Sequence, residues 1–137
     1  LQVVSTTDTT ADGTTATSST SFVDVNPLQT QITPKASNSK ILVRCVLAFG
    51  STTNFNNEGR VLEGSTEILK FHLRAADNRM VFDRSGEVLR SPNTTSQLTY
   101  KVQIKSEAGS GSVKLNQRHI DTSFTGQSSL TLIEIAQ

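Results

Sequence analysis

The chain has 137 residues, a formal net charge of +1, 18% charged residues and 34% hydrophobic residues. This length predicts a single domain, residues 1–137, that can bury one core without disulfides or metal ions. The small net charge excludes an overall field that would draw the chain to nucleic acid, and no apolar run is long enough for membrane insertion. The richness in Ser and Thr favours an all-β fold, because Thr suits a pleated, half-buried surface.

Residues 1–21 form the N-terminal strand and arm of the predicted domain. Residues 1–4 alternate like a short strand, and residues 5–21 are all Ser, Thr, Asp, Ala or Gly. This composition fits a solvated arm, and it fits equally an edge strand or a segment that wraps a neighbouring subunit. Asp8 and the pair Asp12-Gly13 faintly resemble a calcium loop, but the ordered spacing of oxygen ligands is absent. We therefore predict a solvated loop there and no metal ion.

Residues 40–49 are the one stretch with apolar side chains on both alternating faces. One face carries Ile41, Val43, Cys45, Leu47 and Phe49, and the other carries Leu42, Arg44, Val46 and Ala48. This pattern predicts a central strand that is covered on both faces. The sequence leaves open whether Leu42 and Val46 meet the opposing sheet or another subunit. Cys45, the single cysteine, is predicted to be a buried reduced thiol.

The remaining strands are predicted from alternation and from turn residues. They cover residues 28–33, 60–69, 70–76, 97–105, 112–116 and 128–135. Asn26-Pro27 and residues 84–87 predict turns, and residues 50–59 predict an exposed loop. Strands at this spacing without a long helix predict an antiparallel β-sandwich or jelly roll of about eight or more strands.

The search for catalytic chemistry finds no motif. His72 and His119 lie in no recognisable pattern, and there is no phosphate-binding loop or zinc-ligand spacing. We therefore predict a protein that is not an enzyme and has no cofactor. One enzymatic alternative is a polysaccharide-degrading site with paired carboxylates drawn from Glu63, Glu67 and Asp83.

Several strand and turn motifs resemble a domain found in tail-fibre and other virion structural proteins of bacteriophages, many of them marine phages such as cyanophages. The matching segments are SFVDV at residues 21–25, ITPKASNSKILV at 32–43, PNTTS at 92–96, YKVQ at 100–103 and SSLTLIEI at 128–135. The resemblance implies a virion location, other virion proteins as partners and a homotrimer. By analogy, the strand order resembles the jelly-roll heads of the tumour-necrosis-factor and complement-C1q type.

A fibre or spike domain of this kind would contact a host cell-surface glycan or an outer-membrane protein through its exposed loops. The predicted contact residues are Asn54, Phe55, Asn56 and Asn57, followed by Asp77, Asn78 and Arg79. A lone aromatic residue among asparagines supplies rigid contact area, although Phe55 could instead fold back onto the core or a neighbouring chain. The alternative function is a capsid decoration, head fibre or connector with a purely structural assembly role.

Overall fold

The computed structural model describes residues 1–11 and 16–137, so the pair Asp12-Gly13 lies outside the described residues. The described chain contains ten strands. They are β1 (Gln2–Asp8), β2 (Ala16–Thr17), β3 (Val23–Ile32), β4 (Lys40–Ser51), β5 (Asn57–Glu63), β6 (Thr66–Leu73), β7 (Phe82–Arg90), β8 (Leu98–Ser106), β9 (Val113–Leu115) and β10 (Ser128–Ile135). In these residues there is no helix long and apolar enough to cross a membrane.

The strands form two antiparallel sheets that pack face to face. In sheet A the long strands lie in the order β1-β10-β4-β7, and the short strands β9 and β2 continue the sheet beside the end of β4. In sheet B the order is β3-β8-β5-β6. Two four-stranded sheets of long strands with these crossovers make a jelly roll, which confirms the predicted all-β sandwich of about eight or more strands.

The core lies between the two sheets, and β4 supplies the centre of it. The five residues predicted to face inward, from Ile41 to Phe49, are all fully buried. They meet Leu130 and Leu132 of the neighbouring β10 and the buried side chains of sheet B. Cys45 is a free, buried cysteine, as predicted, and burial raises the pKa of its thiol to about 12.

The second face of β4 differs from the prediction. Leu42 and Val46 point away from sheet B and stay partly exposed, because no second layer formed by residues 1–11 or 16–137 covers them. Only the end of the strand is covered, where Gly126 lies so close to Ala48 that an added Cβ would stand 2.8 Å from the Ala48 Cβ atom. Coverage on both faces is therefore wrong for most of β4 within one chain.

Two predicted turns lie inside strands. Residues 84–87 belong to β7, which pairs with β4 from Phe82 to Arg90 without interruption. Gly86 leaves room there for the Phe71 ring of the opposite sheet, because an added Cβ would stand 3.1 Å from the ring, a tight contact. Asn26-Pro27 lies within β3 at a register shift, which an edge strand tolerates because its outer N–H groups need no partner.

Residues 2–8 form an edge strand, which joins the predicted short strand at residues 1–4 to residues 5–8, the first part of the arm. They pair with β10 from Gln2 opposite Glu134 to Asp8 opposite Ser128. This pairing brings Leu1 and Gln137 to the same end of the sandwich. The loops over residues 52–56, 74–81, 107–112 and 116–127 lie at the other end, which we name the distal end.

Candidate functional site

The loop that follows β4 forms one part of the distal end. Its backbone is held by a bond from Asn54 N to the Ala75 carbonyl at 3.0 Å, and Asn54 has a left-handed φ of 63°. Asn tolerates this conformation better than most residues. The exposed Asn54 side chain accepts a hydrogen bond from Arg74 Nη2 at 3.3 Å. Asn54 thus lies on the surface, where the sequence predicted it.

Two other residues of this loop have structural roles. The Phe55 ring folds back against the backbone of Gly111, so closely that an added Cβ there would overlap the ring. The folded-back alternative therefore describes Phe55, which is only partly exposed. Asn57 is fully buried and its amide donates to the Leu73 carbonyl at 2.9 Å. The prediction of Asn57 as a contact residue is therefore wrong for this chain, because no partner could reach it.

Asn56 lies in a small polar cluster beside the distal end. Its backbone N–H and its side-chain amide donate to the two carboxylate oxygens of Glu107, at 2.9 and 3.2 Å. These bonds lower the pKa of Glu107. The side-chain amide oxygen of Asn56 lies 3.0 Å from His72 Nε2. This nitrogen must donate, because the oxygen can only accept. The Asn56 side chain is therefore already satisfied within the chain.

The loop over residues 77–79 is largely exposed, and its backbone is held by the Asp77 side chain and by His119 of another loop. The carboxylate of Asp77 accepts from Arg79 N at 2.8 Å, and the Asn78 carbonyl accepts from His119 N at 3.1 Å. The Arg79 guanidinium is exposed and makes no hydrogen bond or ion pair with the described part of the chain. Asp77, Asn78 and Arg79 thus lie at the same end of the sandwich as Asn54.

A third loop, residues 117–126, was not predicted to contribute to this site. An isolated bridge between Gln117 and Thr125 closes it, and Arg118 N donates to the Phe124 carbonyl at 3.1 Å. The Arg118 side chain forms a two-point bond with Asp121, with Nη2 to Oδ2 at 2.6 Å, and it lies 4.9 Å from the Phe124 ring centroid. A single phenylalanine in a polar loop is the sequence feature that would have indicated this loop. It was considered only at Phe55 and not at Phe124.

His119 connects this third loop to the first. Its Nε2 lies 3.4 Å from Thr52 Oγ1, while its Nδ1 is buried without a partner in the described chain. Burial lowers the pKa of His119, and the nearby Lys114 lowers it further. The ring is therefore neutral near pH 7. Asp121 bonds Arg118 rather than His119, so the two do not form a catalytic pair.

The three carboxylates of the enzymatic alternative do not share a cleft. Glu63 bonds Arg90 and Tyr100, Glu67 pairs with Arg60, and Asp83 lies on the other sheet. The paired-carboxylate prediction for these residues is therefore wrong. Across residues 1–11 and 16–137, no group of three or more His, Cys, Asp or Glu side chains is placed to bind a metal ion.

The large apolar side chains that stay exposed in the described chain occupy two surfaces. Met80, Ile120 and Phe124 lie at the distal end, and Leu1, Val3 and Leu89 lie on or beside sheet A. On the outer face of sheet A, the strand register places Val3, Ile133, Leu42 and Leu89 in one row across β1, β10, β4 and β7. We name these four residues the apolar row.

Comparisons with known proteins address the fold. No protein-family model matches the sequence, and no curated protein matches it. The chain is similar in structure to the insecticidal delta-endotoxin Cry8Ea1 from Bacillus thuringiensis, with a TM-score of 0.50 and 15% identity, over 88% of this chain and 19% of the endotoxin chain. At this identity the likeness concerns the fold alone.

Two structures from infectious bursal disease virus are also similar. The structure of the Gx strain matches with a TM-score of 0.47 and 13% identity, over 96% of this chain and 37% of that chain. The VP2 subviral particle matches with a TM-score of 0.49 and 10% identity, over 99% of this chain and 38% of that chain. The chain therefore spans less than two-fifths of the length of each of the three proteins.

Proposed function

We propose that this chain is a non-enzymatic structural component of a virus particle, in which copies associate through the outer face of sheet A and the distal loops contact a host surface. The observation that carries the proposal is the apolar row. Val3 and Leu89, at its two ends, are 57% and 49% exposed, and no other layer in the described part of the chain lies over them. A contiguous apolar surface of this kind on a single protein marks an interaction site.

The chemistry of the outer face suits burial between copies. Covering the exposed parts of the four apolar side chains would contribute roughly 1 kcal/mol each. The next row across the strands is polar but internally paired, because Ser5 and Thr131 share a hydrogen bond of 2.8 Å and Arg44 forms a 3.0 Å ion pair with Glu87. Paired polar groups can enter an interface without leaving an unsatisfied charge.

The resemblance of the strand motifs to phage tail-fibre domains supports three copies and a location on the virion surface. The distal end lies opposite Leu1 and Gln137. A polypeptide joined at either terminus would therefore leave the distal loops unobstructed. These loops carry an exposed amide at Asn54, a partly exposed amide at Asn78 and an exposed guanidinium at Arg79. Such groups suit hydrogen bonding to a host glycan or an outer-membrane protein.

Adsorption of the fluorescently labelled chain to bacteria, including marine cyanobacteria, tests the host contact. The double variant Asn54→Gly and Asn78→Ala should reduce adsorption at least about fivefold, the effect of losing one significant contact. Gly preserves the left-handed φ of 63° at position 54, and position 78 bonds the rest of the chain through its carbonyl, so folding should be retained.

Asn93→Gly is the matched control, because Asn93 is also exposed, has a left-handed φ of 53° and lies at the opposite end. It should adsorb like the unchanged chain. If the unchanged chain binds none of the cells, host contact is wrong and the capsid decoration, head-fibre or connector role becomes the better account. Equal adsorption of all three proteins would show that the distal loops are not the contact surface.

A further inference from the structure

We propose that the distal end binds an acidic sugar, a pyranose ring bearing a carboxylate, in the pocket between Phe124 and Arg79. The inference rests on the proposed host contact and names the ligand chemistry of that site. The pocket has a volume of about 360 Å³ and is lined by Arg79, Met80, Val81, Phe124 and Thr125. This volume lies at the lower end of the range for small-molecule sites.

Phe124 is a prepared platform rather than a disordered side chain. It is 62% exposed, yet the Arg118 guanidinium lies 4.9 Å from its ring centroid. Arg118 is itself held by both carboxylate oxygens of Asp121, and Asp121 also accepts from Ser123 N at 2.8 Å. The exposed ring is thus in contact with an arginine that is itself held by a carboxylate.

Arg79 supplies a free cation on the other side of the same pocket. Its guanidinium has no partner within residues 1–11 and 16–137, whereas its backbone is fixed by Asp77. The bond from His119 N to the Asn78 carbonyl joins the two loops that carry Arg79 and Phe124. The fold therefore holds the backbones of these two loops next to each other.

This combination of groups matches an acidic sugar. The face of an aromatic ring is electron-rich and attracts the weakly positive C–H groups of a pyranose. A guanidinium can bond both oxygens of a carboxylate, which makes Arg well suited to this anion. An apolar wall without the cation would not select an anion, and a cation without the wall would accept any carboxylate.

Met80 makes the inference directly measurable, because it is the only methionine in the chain. A sample labelled with carbon-13 at the methionine methyl group gives one methyl resonance, and that resonance reports on this pocket. Titration with glucuronic acid should shift the resonance saturably. Glucose, which lacks the carboxylate, and acetate, which lacks the ring, should each bind at least about fivefold more weakly.

Two variants separate the roles of the two groups. Phe124→Ala removes the platform and Arg79→Gln removes the cation, and each should weaken glucuronic acid binding at least about fivefold. Lys35→Gln is the control, because Lys35 is exposed at the opposite end and its loss changes the net charge equally. Its affinity should match that of the unchanged chain.

The inference is overturned if glucuronic acid causes no saturable shift, if acetate binds as tightly, or if both variants bind like the unchanged chain. These outcomes are distinct from failure of the proposed function. A chain that adsorbs to cells but ignores glucuronic acid would refute only the acidic sugar. A chain that binds glucuronic acid at Phe124 and Arg79 but adsorbs to no bacterium would refute only the host contact.

Discussion

At the scale of single residues, Glu63 links the two sheets at the end opposite the distal loops. It lies on β5 in sheet B, accepts a 2.7 Å hydrogen bond from the Tyr100 hydroxyl of β8, and forms a 3.0 Å ion pair with Arg90 of β7 in sheet A. Burial alone would raise the pKa of Glu63, but the hydrogen bonds from Arg90 and Tyr100 outweigh it and lower the pKa. The folded state therefore favours the charged carboxylate.

This link predicts an acid-dependent loss of stability. Because the folded pKa of Glu63 lies below the ordinary value of 4.5, its contribution is present above that pH and is lost as the pH falls through the folded value. Arg90→Gln should lower the free energy of unfolding by about 2 kcal/mol near neutral pH, since it removes a charge-assisted bond. Urea unfolding at pH 7 and well below pH 4.5 measures both effects.

The difference in free energy of unfolding between Arg90→Gln and the unchanged chain should shrink in acid, because protonated Glu63 forms no ion pair with Arg90. Lys40→Gln is the control for net charge, because it removes a partly exposed cation from the neighbouring strand β4. An Arg90→Gln deficit that stays constant down to the lowest pH would refute the ionic role of Glu63.

At the scale of strands and loops, the third distal loop depends on its close approach to β4. A Cβ on Gly50 would stand 2.5 Å from His119 N and 2.6 Å from the Gln117 carbonyl oxygen. Both contacts involve backbone atoms, which cannot move aside as a flexible side chain could. The absence of a side chain at Gly50 therefore sets the position of the loop that carries Arg118 and Phe124.

Gly50→Ala should consequently lower the free energy of unfolding by about 2 kcal/mol, a typical cost of overpacking. Gly109→Ala is the matched control, because nothing lies within 4 Å of the added Cβ and the residue has an ordinary φ. Thermal and urea unfolding of both variants measure the difference. Equal stability of the two variants would contradict the close approach of this loop to β4.

Alternation in the sequence predicts some of the strands that have one face in the core. It locates β8 and most of β4, where the inward residues are mainly apolar. In β10 the buried face also carries Ser128 and Glu134, and the strand was located from apolar residues on both faces. It fails for β7, where Arg84, Ser85 and Gly86 resemble a turn. That segment is a strand because it pairs along β4, and Gly86 accommodates the Phe71 ring from the other sheet. A contact of this kind between sheets produces no periodic pattern in the sequence.

The candidate site was predictable only in part, for a related reason. Asn54, Asn78 and Arg79 could be placed in exposed loops from turn residues alone. The pocket could not be predicted, because Arg79 and Phe124 are remote in sequence and come together only through the bond from His119 to Asn78. The burial of Asn57 could not be predicted from the sequence either, because its amide donates to a carbonyl on the neighbouring strand β6.

At the scale of the whole molecule, the jelly roll separates two surfaces with different chemistry. The outer face of sheet A presents the apolar row, which suits a second copy of the same chain. The distal end presents amide and guanidinium groups together with Phe124, which suit a polar ligand. The proposed association through sheet A would arrange several distal ends side by side, and weak individual contacts would then gain strength from multivalency.

Sedimentation velocity of the unchanged chain and two matched variants tests the central claim most directly. Leu89→Arg and Ile120→Arg place the same charge at aliphatic residues that are 49% and 47% exposed, but only Leu89 lies in the apolar row. We expect the unchanged chain and Ile120→Arg to sediment with three times the mass of one chain, and Leu89→Arg to sediment as a single chain. Sedimentation of the unchanged chain as a monomer at every concentration, or identical behaviour of all three proteins, would contradict association through the outer face of sheet A.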